Sequence, residues 1–117
     1  MRLIWYPKCT TCQKAKAFLE SHGMVCETRD IKLGNPSEEE LREWHARSGL
    51  PLKRFFNTSG LQYRALELST KLPGMSEEEQ FALLAADGML VKRPILVGED
   101  FVLTGFKQAE WETALGI

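Results

Sequence analysis

Residues 2–12 read RLIWYPKCTTC, and this stretch decides the expected fold. The segment Arg2–Tyr6 is apolar and β-prone, and Pro7, which has no N–H to donate, ends the strand. From Thr10 to about His22 the apolar residues recur at helical spacing, and Gly23 is a typical C-terminal stop. The stretch therefore predicts a strand that leads through two cysteines into a helix.

Local signals place the rest of the chain around this unit. The further predicted elements are a strand at 24–31, a helix from the capping box Ser37/Glu40 to Gly49, a short helix and turn at 55–60, a short helical piece at 63–68, a helix from the capping box Ser76/Glu79 to Gly88, strands at 94–97 and 101–103, and a helix at 108–115. This β-α-β, helices, β-β-α order describes an α/β, thioredoxin-like fold. We expect one domain at 1–117, with a mixed four-stranded sheet and a helical insertion at approximately 36–90.

Composition narrows the functional classes. The 117 residues are 44% hydrophobic and 26% charged, with a formal net charge of -1, which does not suit a nucleic-acid-binding protein. No apolar run approaches the roughly 18 residues needed to cross a bilayer, and the N-terminal residues do not resemble a signal peptide. We expect a cytoplasmic protein that binds neither membrane nor nucleic acid directly.

The three cysteines, Cys9, Cys12 and Cys26, are too few for a disulfide scaffold. Cys9 stands at the predicted helix start beside Lys8, where unpaired N–H groups and the helix dipole favour a thiolate. Cys12 follows one helical turn later, on the inner stripe with Ala15. This asymmetry is typical of an attacking thiol, Cys9, and a resolving thiol, Cys12.

Two other interpretations of the pair are weaker. A zinc site needs about four ligands, and beyond the pair only Cys26, His22 and His45 remain, so we expect no metal. We expect Cys26 to be a buried small residue within the second strand, and both histidines to lie on the surface. Two cysteines that merely pack at a helix start are the remaining structural alternative.

The segment Lys92-Arg93-Pro94-Ile95 is the second place of interest. Proline is tolerated at the start of a strand, and a cis bond there would direct the preceding backbone at a neighbour. Arg93 offers a fork of donors for an oxyanion or a thiolate. From spacing alone, a surface arginine beside an ordinary trans-proline is the more expected arrangement.

Taken together, several stretches resemble the arsenate-reductase-like (ArsC/Spx) family, and within it the Spx-like and YffB-like reductases. The resemblance is carried by residues 6–15 (YPKCTTCQKA), 55–63 (FFNTSGLQY), 92–95 (KRPI) and 102–106 (VLTGF). It implies a thioredoxin-like fold with a helical insertion, and a cis-proline at Pro94. It also implies that Cys9 is the reactive cysteine and Arg93 the oxyanion-binding arginine. Around them, the predicted substrate- or partner-binding residues are Lys8, Thr10, Thr11, Asn57 and Pro94.

The chain departs from the arsenate reductases of that family, which use one cysteine and three arginines. Only Arg93 matches, because the other two arginine positions fall at Asn57 and Gly105, so we do not expect efficient arsenate reduction. The expected function is a thiol–disulfide redox protein that binds no cofactor. The resemblance implies a small oxyanion or disulfide as substrate, with glutathione, glutaredoxin or thioredoxin as reductant.

The pair Cys9 and Cys12 also has a second interpretation. It is shared with Spx-type regulators, in which the disulfide acts as a redox switch on a protein that binds RNA polymerase. The alternative function is therefore a redox-switched regulator that contacts the C-terminal domain of the polymerase α subunit. We do not expect a counterpart of the basic C-terminal extension of Spx.

Overall fold

The computed structural model describes residues 1–117. Its strands are β1 (Arg2–Trp5), β2 (Glu27–Asp30), β3 (Ile95–Val97) and β4 (Val102–Thr104). Its α-helices are α1 (Thr10–Ser21), α2 (Glu38–Ser48), α3 (Leu61–Ala65), α4 (Leu68–Lys71), α5 (Glu77–Ala86) and α6 (Gln108–Leu115). Three single turns of 3-10 helix lie at Leu52–Phe55, Leu72–Gly74 and Gly88–Leu90.

The strands form one mixed sheet in the order β2-β1-β3-β4. β1 pairs in parallel with β2, and β3 pairs antiparallel with both β1 and β4. A parallel pair needs a crossover, which α1 supplies, whereas β3 and β4 are joined by a tight turn. The predicted α/β architecture, with a mixed four-stranded sheet and helices inserted between β2 and β3, is confirmed.

Strand boundaries differ from those predicted. β2 covers only four residues of the expected 24–31; it lies at the edge of the sheet, and Val25, which precedes it, is 93% exposed. Cys26 therefore lies before the strand and is half-buried, not a core residue. β3 and β4 each begin one residue later than expected, because Pro94 cannot donate to the ladder and Phe101 closes the turn through its carbonyl to Gly98 N–H (2.9 Å).

One sheet face is covered by α1 and α6. The predicted inner stripe of α1 is confirmed, since Cys12, Ala15 and Leu19 are buried. Ala15 and Leu19 pack with Leu3 of β1 and with Trp111 of α6. Beyond the helix, Gly23 adopts a positive φ of 68°, which a residue with a Cβ rarely adopts.

The helical insertion covers the other face and contributes most of the larger core. Its two long helices, α2 and α5, begin as predicted at the capping boxes Ser37/Glu40 and Ser76/Glu79. His45 on α2 is not the surface residue that we expected. It is half-buried and packs edge-on against Phe55 and Phe81, with ring centroids 5.8 and 5.7 Å away.

The short helix predicted within 55–60 is wrong, whereas the turn predicted there is present at 58–60, where Gly60 N–H donates to the carbonyl of Asn57 (3.1 Å). The chain there leaves a 3-10 turn and forms an isolated antiparallel bridge between Phe56 and Val91, both of which are buried. Two hydrogen bonds flank it, from Asn57 N–H to the carbonyl of Leu90 (2.7 Å) and from Lys92 N–H to the carbonyl of Phe55 (2.8 Å). This bridge holds the insertion beside the residues that precede β3.

The expected helix at 63–68 is instead two short helices, α3 and α4, divided at Glu67, which has a φ of 53°. None of the helices in the structure has the length and apolar character required to cross a membrane.

Candidate active site

Cys9 lies between β1 and α1, at the capping position of the helix. The Pro7-Lys8 turn is closed by a hydrogen bond from Cys9 N–H to the carbonyl of Tyr6 (2.9 Å), and Gln13 N–H donates to the carbonyl of Cys9 (3.0 Å). The side chain is half-buried. Its sulfur therefore faces the first N–H groups of α1, which have no partner within the helix.

The pKa of the Cys9 thiol is lowered in spite of its partial burial. Burial alone would raise it, but the N–H of Cys12, the Cys12 thiol and the N–H of Thr11 favour the charged sulfur. The neutral thiol makes no capping hydrogen bond, so these groups act chiefly on the thiolate. The positive charge of Arg93 adds to the effect.

Cys12 has the opposite environment. It is fully buried beneath the first turn of α1, and burial raises the pKa of its thiol to about 12. The N–H of Tyr6, which points at its sulfur from 3.4 Å, opposes this rise only partly, and the nearby Cys9 adds to it. At neutral pH, Cys12 is therefore a protonated donor while Cys9 is the group that ionises.

Arg93 is held above this pair by the start of β3. Its guanidinium lies over the ring of Tyr6, 5.4 Å from the centroid, and its Nη1 donates to the carbonyl of Met89 (3.3 Å). The Arg93 Nε is buried with no hydrogen-bond partner. The Arg93–Pro94 peptide bond is cis, as the resemblance implied and against the trans arrangement favoured by spacing alone.

Asn57 is brought to the same place by the Phe56–Val91 bridge. Together with Arg93 it lines a cavity of about 370 Å³. Gly60 lies at its wall, and a Cβ there would stand 2.6 Å from Asn57 Nδ2, so a larger residue would displace the Asn57 amide. The arginine and the asparagine, predicted from distant stretches of sequence, are thus neighbours in space.

The other predicted site residues differ in exposure and in distance from the cavity of Asn57 and Arg93. Lys8 and Thr10 are exposed on the turn around Cys9, and Thr11 is exposed at the margin of a second cavity. Pro94 is buried, and its carbonyl accepts a hydrogen bond from Gly105 N–H (2.8 Å). The cation that lowers the Cys9 pKa is Arg93, whereas the sequence had pointed to Lys8.

Sequence reasoning missed the second cavity, which has a volume of about 540 Å³. It lies beside Thr11, and its cationic residues are Lys53, Arg54, Lys92 and Lys107. Only Lys92, which directly precedes Arg93, carried a local signal. The others come from the insertion and from the start of α6, so no spacing in the sequence connects them.

Comparison with known proteins agrees with this architecture. Residues 4–114 match the model of the ArsC family. The crystal structure of an ArsC family related protein from Bacteroides fragilis superposes with a TM-score of 0.93 at 55% identity, covering 96% of this chain and 94% of that one.

Curated relatives include an uncharacterised protein and a regulator. YusI of Bacillus subtilis is 53% identical over 108 residues, which are 92% of each chain. The global transcriptional regulator Spx of Listeria innocua is 26% identical over 104 residues, which are 89% of this chain and 78% of Spx. These relatives support a thiol redox protein or a regulator of the same family. Because the family model covers nearly the whole sequence and the fold agrees, the chain belongs to the ArsC family.

Proposed function

We propose that the protein is a thiol–disulfide reductase in which Cys9 attacks the substrate and Cys12 resolves the intermediate. The observation that carries this proposal is the opposite environment of the two sulfurs. Cys9 is half-exposed with a lowered pKa, whereas Cys12 is fully buried with a pKa of about 12. A thiolate at neutral pH is the nucleophile, and a protonated neighbour one turn away is suited to the second step.

The proposed reaction transfers two electrons to a disulfide, R–S–S–R. The Cys9 thiolate attacks one sulfur, so that a Cys9–S–S–R bond forms and one thiolate, RS⁻, leaves. Cys12 then loses its proton to the leaving thiolate or to water and attacks the Cys9 sulfur. The second RS⁻ leaves, the protein holds a Cys9–Cys12 disulfide, and the substrate has become two thiols. The Cys12 thiol already contacts the Cys9 sulfur, so this step requires its deprotonation, and its burial keeps it from attacking external disulfides directly.

Arg93 supports both the nucleophile and an anionic group on the substrate. Its charge favours the Cys9 thiolate, and its buried, unpaired Nε is a donor without an acceptor. The positions of two further family arginines hold Asn57 and Gly105, so a tetrahedral oxyanion would meet one guanidinium only. We therefore propose a disulfide rather than arsenate as the preferred substrate, with glutathione, glutaredoxin or thioredoxin in the cytoplasm as the source of electrons.

The test is turnover by purified protein with a small disulfide or with arsenate, coupled to glutathione and glutaredoxin or to thioredoxin. Wild type, Cys9→Ser and Cys12→Ser are compared. We expect Cys9→Ser to be inactive and Cys12→Ser to accumulate the Cys9 mixed disulfide, visible by mass spectrometry. Disulfide reduction that persists in Cys9→Ser, or turnover of arsenate in preference to disulfides, contradicts the proposal.

A second candidate function rests on the similarity to Spx, a transcriptional regulator, over 104 residues. In that case the Cys9–Cys12 pair is a redox switch on a protein that binds the C-terminal domain of the RNA polymerase α subunit. A pull-down with that domain, using oxidised and reduced protein, separates the two candidates. Binding that depends on the oxidation state supports the regulator, and the same lack of binding in both states rules it out.

A further inference from the structure

The cavity beside Thr11 has the character of a built binding site. It encloses about 540 Å³, which is within the usual range of small-molecule pockets. Its polar lining residues come from four separate parts of the fold: Thr11, Lys53, Arg54, Thr58, Lys92, Thr104 and Lys107. No carboxylate lines it. Four cations that face one concave space without a lining carboxylate produce a positive potential there.

The pairing of these cations shows which of them are available to a ligand. Arg54 and Lys107 share the carboxylate of Glu110, at 3.4 and 3.9 Å. Lys53 and Lys92 form no ion pair in the structure. Their charges are therefore not neutralised by the protein, and an anion in the cavity would be their nearest partner.

The floor of the cavity supplies a second, independent observation. Thr104 is 3% exposed, and its Oγ1 is buried without a hydrogen-bond partner although the residue lines the cavity. An unpaired buried hydroxyl is rare in folded proteins and costs free energy, so a ligand group that bonds to it is favoured. The cavity thus offers a hydrogen-bonding group as well as positive charge.

Gly105, which follows Thr104, has no side chain and so leaves room for the Lys92 side chain in the cavity. A Cβ at Gly105, whose φ is 71°, would lie 3.0 Å from Lys92 Cε. The Lys92 side chain therefore occupies the space that an arginine side chain at position 105 would need. The ammonium group of Lys92, from the residue before Arg93, occupies the space beside Gly105.

The cavity is also connected to the nucleophile. Thr11, which lines it, presents its backbone N–H to the sulfur of Cys9. Lys92 is adjacent in sequence to Arg93, whose charge acts on the same sulfur. A ligand arm that extends from the cavity past Thr11 would therefore approach the sulfur of Cys9.

We propose that this cleft, lined by Lys53, Lys92, Lys107 and Thr104, binds the carboxylate-bearing arm of a small disulfide and determines which disulfides the protein reduces. This proposal rests on the proposed function, and it names the substrate class as anionic disulfides. One carboxylate pairs with Lys92 or Lys53 and accepts a hydrogen bond from Thr104 Oγ1, which places the disulfide near Cys9. The Cys9 thiolate then forms Cys9–S–S–R with this arm, and the other arm leaves as RS⁻.

The test compares three disulfides that differ in charge: 3,3′-dithiodipropionate (anionic), 2-hydroxyethyl disulfide (neutral) and cystamine (cationic). The second-order rate of reduced protein with each is divided by the rate of that disulfide with 2-mercaptoethanol, which removes differences in intrinsic reactivity. We expect the normalised rate to be about tenfold higher for the anionic than for the neutral disulfide at low salt, and lowest for cystamine. The preference should decline as salt screens it.

Variants then assign the preference to the cleft. Lys92→Gln and Lys53→Gln should each reduce the anionic-to-neutral ratio by about 3- to 10-fold. Lys32→Gln is the matched control, because Lys32 is exposed after β2, at the opposite edge of the sheet, and its loss removes the same charge. The ratio should be unchanged there.

Two outcomes overturn the proposal while leaving the proposed function intact. One is Cys9-dependent reduction of all three disulfides at equal normalised rates. The other is an anionic preference that Lys32→Gln lowers as much as Lys92→Gln does, which would reflect net charge and not the cleft. If instead none of the three disulfides reacts with Cys9, the proposed function itself has failed.

Discussion

At the scale of the residue, the candidate site depends on two identical side chains in different surroundings. Cys9 caps a helix at the surface, where N–H groups and Arg93 favour its thiolate. Cys12, one turn further, is enclosed by the sheet and the helix. The difference arises because Cys9 is the N-cap, with extended backbone angles, whereas Cys12 lies within α1 on its buried stripe.

The first prediction concerns the pH dependence of Cys9. Since its pKa is lowered in the folded protein, alkylation by iodoacetamide should reach half of its maximal rate at a lower pH than for an ordinary thiol. Arg93→Gln removes a charge that favours the thiolate, so the profile should move to higher pH. Arg93→Lys retains the charge and should move it less. Rates measured between about pH 5 and 9 by mass spectrometry, with Cys12 as the unreactive internal reference, provide the check.

An unchanged profile in Arg93→Gln would mean that the backbone N–H groups and the Cys12 thiol, without Arg93, lower the pKa of Cys9. A profile that moves equally in Arg93→Lys and Arg93→Gln would show that the fork of the guanidinium matters and not its charge.

Some of the site residues could be predicted from the sequence and others could not. The relative positions of Cys9 and Cys12 could be predicted from their spacing, because both lie at the start of one helix. Arg93 could be singled out by its motif, but its position over Tyr6 arises from the pairing of β1 with β3. Lys53 carried no signal, and Thr104 lay in a stretch that supported the resemblance without marking it as a binding residue, since only the tertiary fold brings the two to one cavity.

At the scale of the element, local chemistry explains which predictions were correct. Each of α2 and α5 begins at a reciprocal capping box, a pattern that is contained within four residues. The helix predicted within 55–60 was wrong because the structure of that segment depends on the bridge from Phe56 to Val91, which is distant in sequence. β2 was predicted too long, since apolar character at 24–26 does not reveal that the sheet ends there.

The second prediction concerns the connection between β2 and α2. Arg29 donates two hydrogen bonds to Glu40, at 2.6 and 2.9 Å, and Ser37 N–H donates a third at 3.1 Å. Chiefly because of the Arg29 hydrogen bonds, the pKa of Glu40 is lowered from its ordinary 4.5 to about 2. A carboxyl with a depressed pKa stabilises the fold above its ordinary pKa, and this contribution disappears as the pH falls from about 4.5 toward 2.

Glu40→Gln should therefore lower the free energy of unfolding by about 1 kcal/mol at pH 7, a modest value because the pair is partly exposed. The difference from wild type should shrink as the pH falls below about 4.5, as measured by urea unfolding at a series of pH values. Glu79→Gln is the control, since Glu79 occupies the same capping position without an arginine partner, and its effect should be smaller. A loss that is independent of pH, or equal in both variants, would contradict this assignment.

At the scale of the whole molecule, the sheet separates two cores, and the site lies where elements from both sides meet. Trp111 belongs to the smaller core, and its Nε1 donates to the carbonyl of Gly105 (3.0 Å). Gly105 in turn donates to the carbonyl of Pro94 (2.8 Å). The sequence predicted the closing helix, but it could not show that the Trp111 indole supports the loop at the wall of the cleft.

The third prediction tests that connection. Trp111→Phe leaves a cavity and also leaves the buried carbonyl of Gly105 without its donor, so the free energy of unfolding should fall by about 2–4 kcal/mol. Trp44→Phe in the larger core is the matched control, because Trp44 is equally buried and makes no side-chain hydrogen bond. Trp44→Phe should lower the free energy of unfolding by less, since only packing is lost.

Hydrogen exchange adds a local measurement. The Gly105 amide should lose protection in Trp111→Phe beyond what the global loss of stability explains, and it should not do so in Trp44→Phe. If both variants lose the same stability and Gly105 exchanges alike in both, Trp111 fills the core without supporting the cleft wall.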